Sequence, residues 1–239
     1  MHLKRITFLS DKYPDRGVYP FNIPNFTNTD SLPLDNAVTF FVGENGTGKS
    51  TLLKAIARKC NVHIWEPVGG GRLRVNRYEE QLYRFIDIEW IDGPVPGSFF
   101  ASEIFNTFAQ VLEECAISST EHLKYFGGKS LITQSHGQSH MSFFKSRYRI
   151  KGIYFLDEPE NALSPKRQLE LLRVLKEMSR NGRAQFIIAT HSPIILASSQ
   201  ATIYSFDTLP IKKIDYENTN HYRIYKDFLN NRKQYQESL

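Results

Sequence analysis

Cysteine is scarce in this chain of 239 residues: Cys60 and Cys115 are the only two. Two widely separated thiols exclude a disulfide framework and a cysteine metal cluster, and they suit a reducing compartment. Long apolar runs are missing as well. No stretch approaches the roughly 18 apolar residues that a membrane-spanning helix requires. The N-terminal "MHLKRITFLS" is basic and only briefly apolar, without the long apolar region and small-residue cleavage site of a secretory leader. The cytoplasm is therefore the expected location. Internal repeats and low-complexity tracts are also lacking, which excludes a repeat array. What is present is ordinary for a globular protein: 41% hydrophobic and 23% charged residues, enough for one large α/β domain or a core with an inserted subdomain.

The formal charge is +5 and the pI near 9.1. A basic bias is compatible with nucleic acid or an anionic membrane surface. The basic residues are scattered, with short clusters at Arg72, Arg74 and Arg77, at Lys145, Arg147 and Arg149, and at Arg232 and Lys233. A solvated surface of mixed charge accounts for them better, so charge selects no partner.

Apolar patterning divides the chain into alternating elements. "LKRITFL" reads as a strand, followed by a loop rich in Pro, Asn and Asp from Asp11 to Asp35. "AVTFFVG" is a strand ending at glycine, and "KSTLLKAIARKC" carries Leu52, Leu53, Ile56 and Ala57 at helical spacing. "YRFIDIEW" is a further strand, "GPVPG" a break, and Ser98 to Glu114 a helix with Phe99, Ile104, Phe108 and Leu112 apolar. A glycine-bearing loop, "YFGGKSLITQSHGQS", leads to a short helix, "HMSFFKSRY". "GIYFLD", "AQFIIAT" and "ATIYSF" then read as buried strands, separated by the helices "SPKRQLELLRVLKEMSR" and "SPIILAS". Ser164 is placed to cap the longer one, with Pro165 in its first turn and Gly182 past its end. Strands alternating with helices predict a mostly parallel sheet covered on both faces. Residues 92–148 break that rhythm. They are expected to form a helical insertion between two parts of one core, 1–91 and 149–239.

"GENGTGKST" supplies Gly43, Glu44, Asn45, Gly46, Thr47, Gly48, Lys49, Ser50 and Thr51 in the spacing G-x-x-x-x-G-K-[ST], between a strand and a helix. Such a loop turns its backbone N–H groups toward phosphate oxygens. Lys49 adds charge at the β- and γ-phosphates, the Ser50 hydroxyl suits Mg2+, and Thr51 falls near the α-phosphate. In "IYFLDEPE" an apolar strand carries Asp157 to the sheet edge where such folds bind ligands. Asp157 is the expected Mg2+ partner of Ser50, and Glu158 the general base for the attacking water. "IIATHS" brings His191 to the end of the next strand, where it can sense the γ-phosphate.

"GENGTGKST", "LDEPENALS" and "ATHS", in this order, resemble the ABC-type ATPases, and most of all small stand-alone bacterial members. The "YPF" loop and "HYRIYKDFLNN" block look similar to theirs, so the resemblance spans nearly the whole chain. In that group a signature sequence, most often LSGGQ, closes the helical insertion. Here Ser135, Gly137 and Gln138 match its serine, second glycine and glutamine, while His136 replaces the first glycine and Gln134 the leucine. The resemblance implies two subunits sandwiching two ATP molecules head to tail, with Ser135, Gly137 and Gln138 reaching the partner's nucleotide. It also implies that Asn161 to Ser164 touch the opposite subunit. One departure stands out: the glutamine usual at the entry to the insertion is missing, and "GSFFASEIF" offers Ser102 and Glu103 there, while Gln81 and Gln110 fit poorly. Tyr13, Tyr19 and Phe21 are candidates for stacking on adenine. The expected function is a soluble ATPase whose ATP-driven dimerisation acts as a switch. The alternatives are the ATP-binding subunit of a transporter, with a membrane permease as partner, and a DNA-maintenance ATPase.

Overall fold

Runs buried on both faces need a sheet covered on both sides, and three such runs lie at the centre of this one. In a computed structural model, which describes residues 1–65, 76–118, 130–132 and 136–237, β1 (Leu3–Phe8), β2 (Ser31–Pro33), β3 (Val38–Val42), β4 (Ile86–Trp90), β5 (Gly97–Ala101), β6 (Gly152–Asp157), β7 (Ala184–Ala189), β8 (Ala201–Ser205) and β9 (Lys212–Lys213) form two sheets. The larger has the order β5-β6-β7-β3-β8-β9, parallel from β5 to β8 and antiparallel only at β9. The smaller, β2-β1-β4, is antiparallel. Every residue of β3, β6 and β7 is buried, as expected for parallel strands with both faces covered.

Adjacent residues on these strands point to opposite faces. Phe41, Phe155 and Ile187 join one core with Leu52, Leu53 and Ile56 of helix α1 (Lys49–Lys59). Phe40, Leu156 and Ile188 join the other with Phe144 of α3 (His136–Arg147) and Leu171 and Leu175 of α4 (Pro165–Ser179). Helix α2 (Ser102–Ser118) leads away from β5, and α5 (Asn220–Asn230) follows the last strands. No helix among the described residues is long and apolar enough to cross a membrane.

Two sequence expectations are corrected. Ser98 does not begin a helix: Gly97–Ala101 is the edge strand β5, paired in parallel with β6, and helix starts at Ser102. Phe99 enters one core and Phe100 the other, which a strand achieves with consecutive residues and a one-sided helix does not. The strand lies within 92–148 yet belongs to the main sheet. The helix expected from His140 begins earlier, at His136, so Gly137 and Gln138 lie in its first turn rather than in a loop. Ser135 and Gln134 lie outside the described residues.

Candidate nucleotide site

Strand order decides where the site falls. Strand β7 lies between β3 and β6, and its last residue, Ala189, pairs with Phe41 on one side and Asp157 on the other. The chain therefore leaves three neighbouring strands at one edge: into the glycine loop after β3, at Asp157 and Glu158 after β6, and at His191 after β7.

The loop bends back on itself before α1. Gly48 has a φ of +99°, and a Cβ there would lie 2.7 Å from Phe26 Cζ, so both the dihedral and the space require glycine. Lys49 is 4% exposed. Its Nζ donates to the carbonyl oxygens of Gly43 and Glu44 at 2.7 and 2.8 Å, clasping the loop from within. Burial pushes its pKa below the ordinary lysine value, and the Glu158, Asp207, Asp157 and Glu44 carboxylates oppose that shift. Asp207, just past β8, accepts the backbone N–H of Glu44 at 2.7 Å and anchors the loop from outside.

Ser50 Oγ donates to Asp157 Oδ1 at 2.7 Å. Burial raises the Asp157 carboxyl to about 6; the Ser50 hydrogen bond lowers it, while Glu158 and Glu103 raise it further. A hydroxyl and a carboxylate at this spacing are hard oxygen donors that suit Mg2+. Among the described residues no group of three His, Cys, Asp or Glu side chains could enclose a metal by itself.

Glu158 occupies the left-handed region at φ +46°. Such a backbone costs a non-glycine residue about 1–3 kcal/mol. The Glu158 N–H donates to the Ala189 carbonyl at 2.9 Å, and Asn161 Nδ2 donates to Glu158 Oε2 at 2.8 Å. Ser102 Oγ donates to the Glu158 carbonyl at 3.3 Å. Ser102 and Glu103 thus stand beside the DE pair, where the glutamine was sought, whereas Gln81 lies on the other sheet's side, just before β4.

His191 Nε2 is 3.7 Å from Glu158 Oε1. Burial lowers the His191 pKa, with Lys49 and His221 adding to the shift and Glu158 opposing it. Two groups that sequence reasoning missed hold this histidine. The Glu160 carboxylate accepts the His191 N–H at 2.5 Å and the Thr190 hydroxyl at 2.8 Å. His221 Nε2, from α5, meets His191 Nδ1 at 2.9 Å. Glu160 was visible in "DEPE" as a third carboxylate; His221 had no local signal beyond the unexplained "HYRIYKDFLNN" block.

The aromatic candidates separate. Tyr13 and Phe21 are buried and pack on one another, with ring centroids 4.8 Å apart. Tyr19 is 38% exposed, and its hydroxyl lies 2.8 Å from Thr51 Oγ1. It lines a cavity of about 620 Å³ beside the loop, with Asn45, Gly46, Thr47, Asn25 and Phe206. On the opposite flank Gly137 lies against the segment after Glu158: a Cβ there would sit 3.3 Å from the Ala162 carbonyl oxygen. Gln138, one residue on, is exposed.

In sequence and in fold the chain is similar to ATP-binding proteins of ABC transporters. A family model described as "AAA domain, putative AbiEii toxin, Type IV TA system" matches residues 144–197, the stretch holding Asp157, Glu158 and His191. The chain is 29% identical to the phosphate import ATP-binding protein PstB 2 of Streptococcus pneumoniae, over 66% of either chain. It is 24% identical to the ferric enterobactin transport ATP-binding protein FepC of Escherichia coli, over 61% of this chain and 59% of that one. The matches thus span under two thirds of these relatives' lengths. The structure of cbiO1 from Clostridium perfringens, part of the ABC transporter complex cbiONQ, superposes over the full length of both chains with a TM-score of 0.53 and 16% identity.

Proposed function

We propose that this protein binds ATP with Mg2+ and hydrolyses it in a head-to-tail homodimer, so that nucleotide state switches its assembly in the cytoplasm. The observation that carries this reading is the junction of Ser50, Asp157, Glu158 and His191 at one sheet edge. In it, backbone N–H groups of Gly43, Asn45, Gly46, Thr47 and Gly48 donate to phosphate oxygens, the Glu44 N–H stays on Asp207, and Lys49 leaves its two carbonyl partners for the β- and γ-phosphates. Ser50 and Asp157 hold the ion, whose role is to neutralise phosphate charge. Thr51 and Tyr19 lie toward the α-phosphate and the base. Glu158, held by Asn161 and beside His191, takes the proton of the attacking water, and His191 faces the γ-phosphate. Gly137 and Gln138, in the first turn of α3, present a helix N-terminus to the partner's nucleotide, and the resemblance adds Ser135 to the same contact.

The experiment is release of inorganic phosphate from ATP with Mg2+. Wild-type protein turns over, Lys49→Ala does not bind ATP, and Glu158→Gln binds without turnover. Equal phosphate release from wild type and Glu158→Gln would refute the assignment.

A second reading, the ATP-binding subunit of a transporter, is favoured by one observation: the relatives above carry transport names. Co-purification with a membrane permease supports it.

A further inference from the structure

We propose that His221 is the positioning residue for His191: it donates its Nε2–H to His191 Nδ1 and thereby holds His191 in the tautomer whose proton sits on Nε2. This rests on the reading of His191 as the group that faces the γ-phosphate.

The contact is a ring-edge hydrogen bond rather than a stack, with nitrogens 2.9 Å apart, centroids at 5.0 Å and planes at 59°. A single N···N contact takes one proton, so two neutral imidazoles have two arrangements. In the first, His191 donates from Nδ1, and its bare Nε2 lone pair confronts the Glu158 carboxylate 3.7 Å away. In the second, His221 donates, and His191 presents N–H toward Glu158 and the phosphate position. The Glu158 charge selects the second. Burial and Lys49 keep both rings toward their neutral forms, so the choice of tautomer matters; Glu44 and Asp207 face His221 and act in the opposite sense.

His221 is also held firmly enough for the task. Thr219, 1% exposed, caps α5 by accepting the Tyr222 N–H at 3.3 Å, and its own hydroxyl donates to the Tyr216 carbonyl at 2.7 Å. The Tyr216 hydroxyl donates to the carbonyl of Pro193, two residues past His191, at 2.9 Å. Asn220 Nδ2 reaches Asp207 Oδ2 at 3.4 Å, the same aspartate that anchors Glu44. The C-terminal segment is thereby tied to both the His191 loop and the phosphate loop. Partners that orient a functional imidazole through its second nitrogen are worth about 10–100-fold where their loss has been measured at metal sites.

Two measurements decide it. In 15N-histidine-labelled protein, long-range 1H–15N spectra report the tautomer directly. His191 is expected as the Nε2–H form in wild type and as a mixture in His221→Ala. An Nδ1–H form in wild type, or a spectrum that His221→Ala leaves unchanged, overturns the proposal. In steady-state ATP hydrolysis, His221→Ala is expected to lower kcat about tenfold with KM for ATP within about twofold. His221→Gln, whose amide can donate from nearly the same place, restores most of kcat. In a His191→Ala background, His221→Ala has no further effect. Equal losses in both backgrounds, or a change confined to KM, overturn it. If His191→Ala alone leaves kcat unchanged, the reading of His191 fails, and the tautomer spectra still decide the role of His221.

Discussion

Ser50 Oγ lies 2.7 Å from Asp157 Oδ1, so the first turn of α1 and the end of β6 meet at one pair of oxygens. A hydrogen bond to a charged group is worth about 1.5–3 kcal/mol, and here the same two atoms suit the ion. Ser50→Ala is expected to weaken ATP binding in Mg2+ at least about tenfold and to change binding in EDTA little. Titration calorimetry with and without the metal checks this.

Asp157 supplies a pH prediction. Its carboxyl is raised from 3.8 to about 6, chiefly by burial. A group whose folded pKa lies above its unfolded value stabilises the fold below the unfolded pKa, and that advantage is lost as pH rises through the folded value. Without metal, Asp157 therefore costs about 2 kcal/mol at neutral pH relative to pH 4, at about 1.4 kcal/mol per pKa unit with part of the shift already spent at pH 4. Asp157→Asn is expected to raise Tm by several degrees at pH 7.5 in EDTA and to remove Mg2+ binding. At pH 4 the two proteins should melt closer together. Calorimetric melts across pH 4–8 give the comparison.

The phosphate loop contains a contrast between two glycines. Gly48 combines positive φ with a neighbour 2.7 Å from any Cβ, whereas Gly46, at φ +82°, has nothing within 4 Å. Gly46→Ala is expected to cost only the left-handed backbone, about 1–2 kcal/mol. Gly48→Ala must in addition displace Phe26 and should lose more stability together with ATP binding. Chemical denaturation of the two variants measures the difference.

The patterns legible in the sequence were local ones. The phosphate loop, the DE pair and His191 each end an apolar strand, and the alternation of strand and helix predicted the parallel sheet that brings those ends together. Phe99 and Phe100 misled because two adjacent apolar residues fit a helix as easily as a strand buried on both faces; the pairing of β5 with β6 decides between them. Tyr13, Tyr19 and Phe21 could not be ranked until burial separated them. Glu160 and His221 act on His191 through contacts spanning some thirty residues, and periodicity carries no record of such pairs.

Tyr19 is the exposed one of the three aromatic candidates, with its hydroxyl 2.8 Å from Thr51 Oγ1. Tyr19→Ala is expected to weaken ATP about tenfold, while Tyr19→Phe, which keeps the ring, costs about 1 kcal/mol or less. Fluorescence titration with a labelled ATP analogue separates the two. Equal losses would assign the whole effect to the hydroxyl.

ATP is proposed to join two copies of this chain between one subunit's Gly137, in the first turn of α3, and the other's Ser50 and Glu158. Glu158→Gln removes the base while keeping the shape of the side chain, so it should hold the joined state. Light scattering coupled to gel filtration, with and without ATP and Mg2+, is the direct measurement. Glu158→Gln should run as a monomer in EDTA and as a dimer with ATP and Mg2+; a monomer under both conditions would contradict ATP-driven joining.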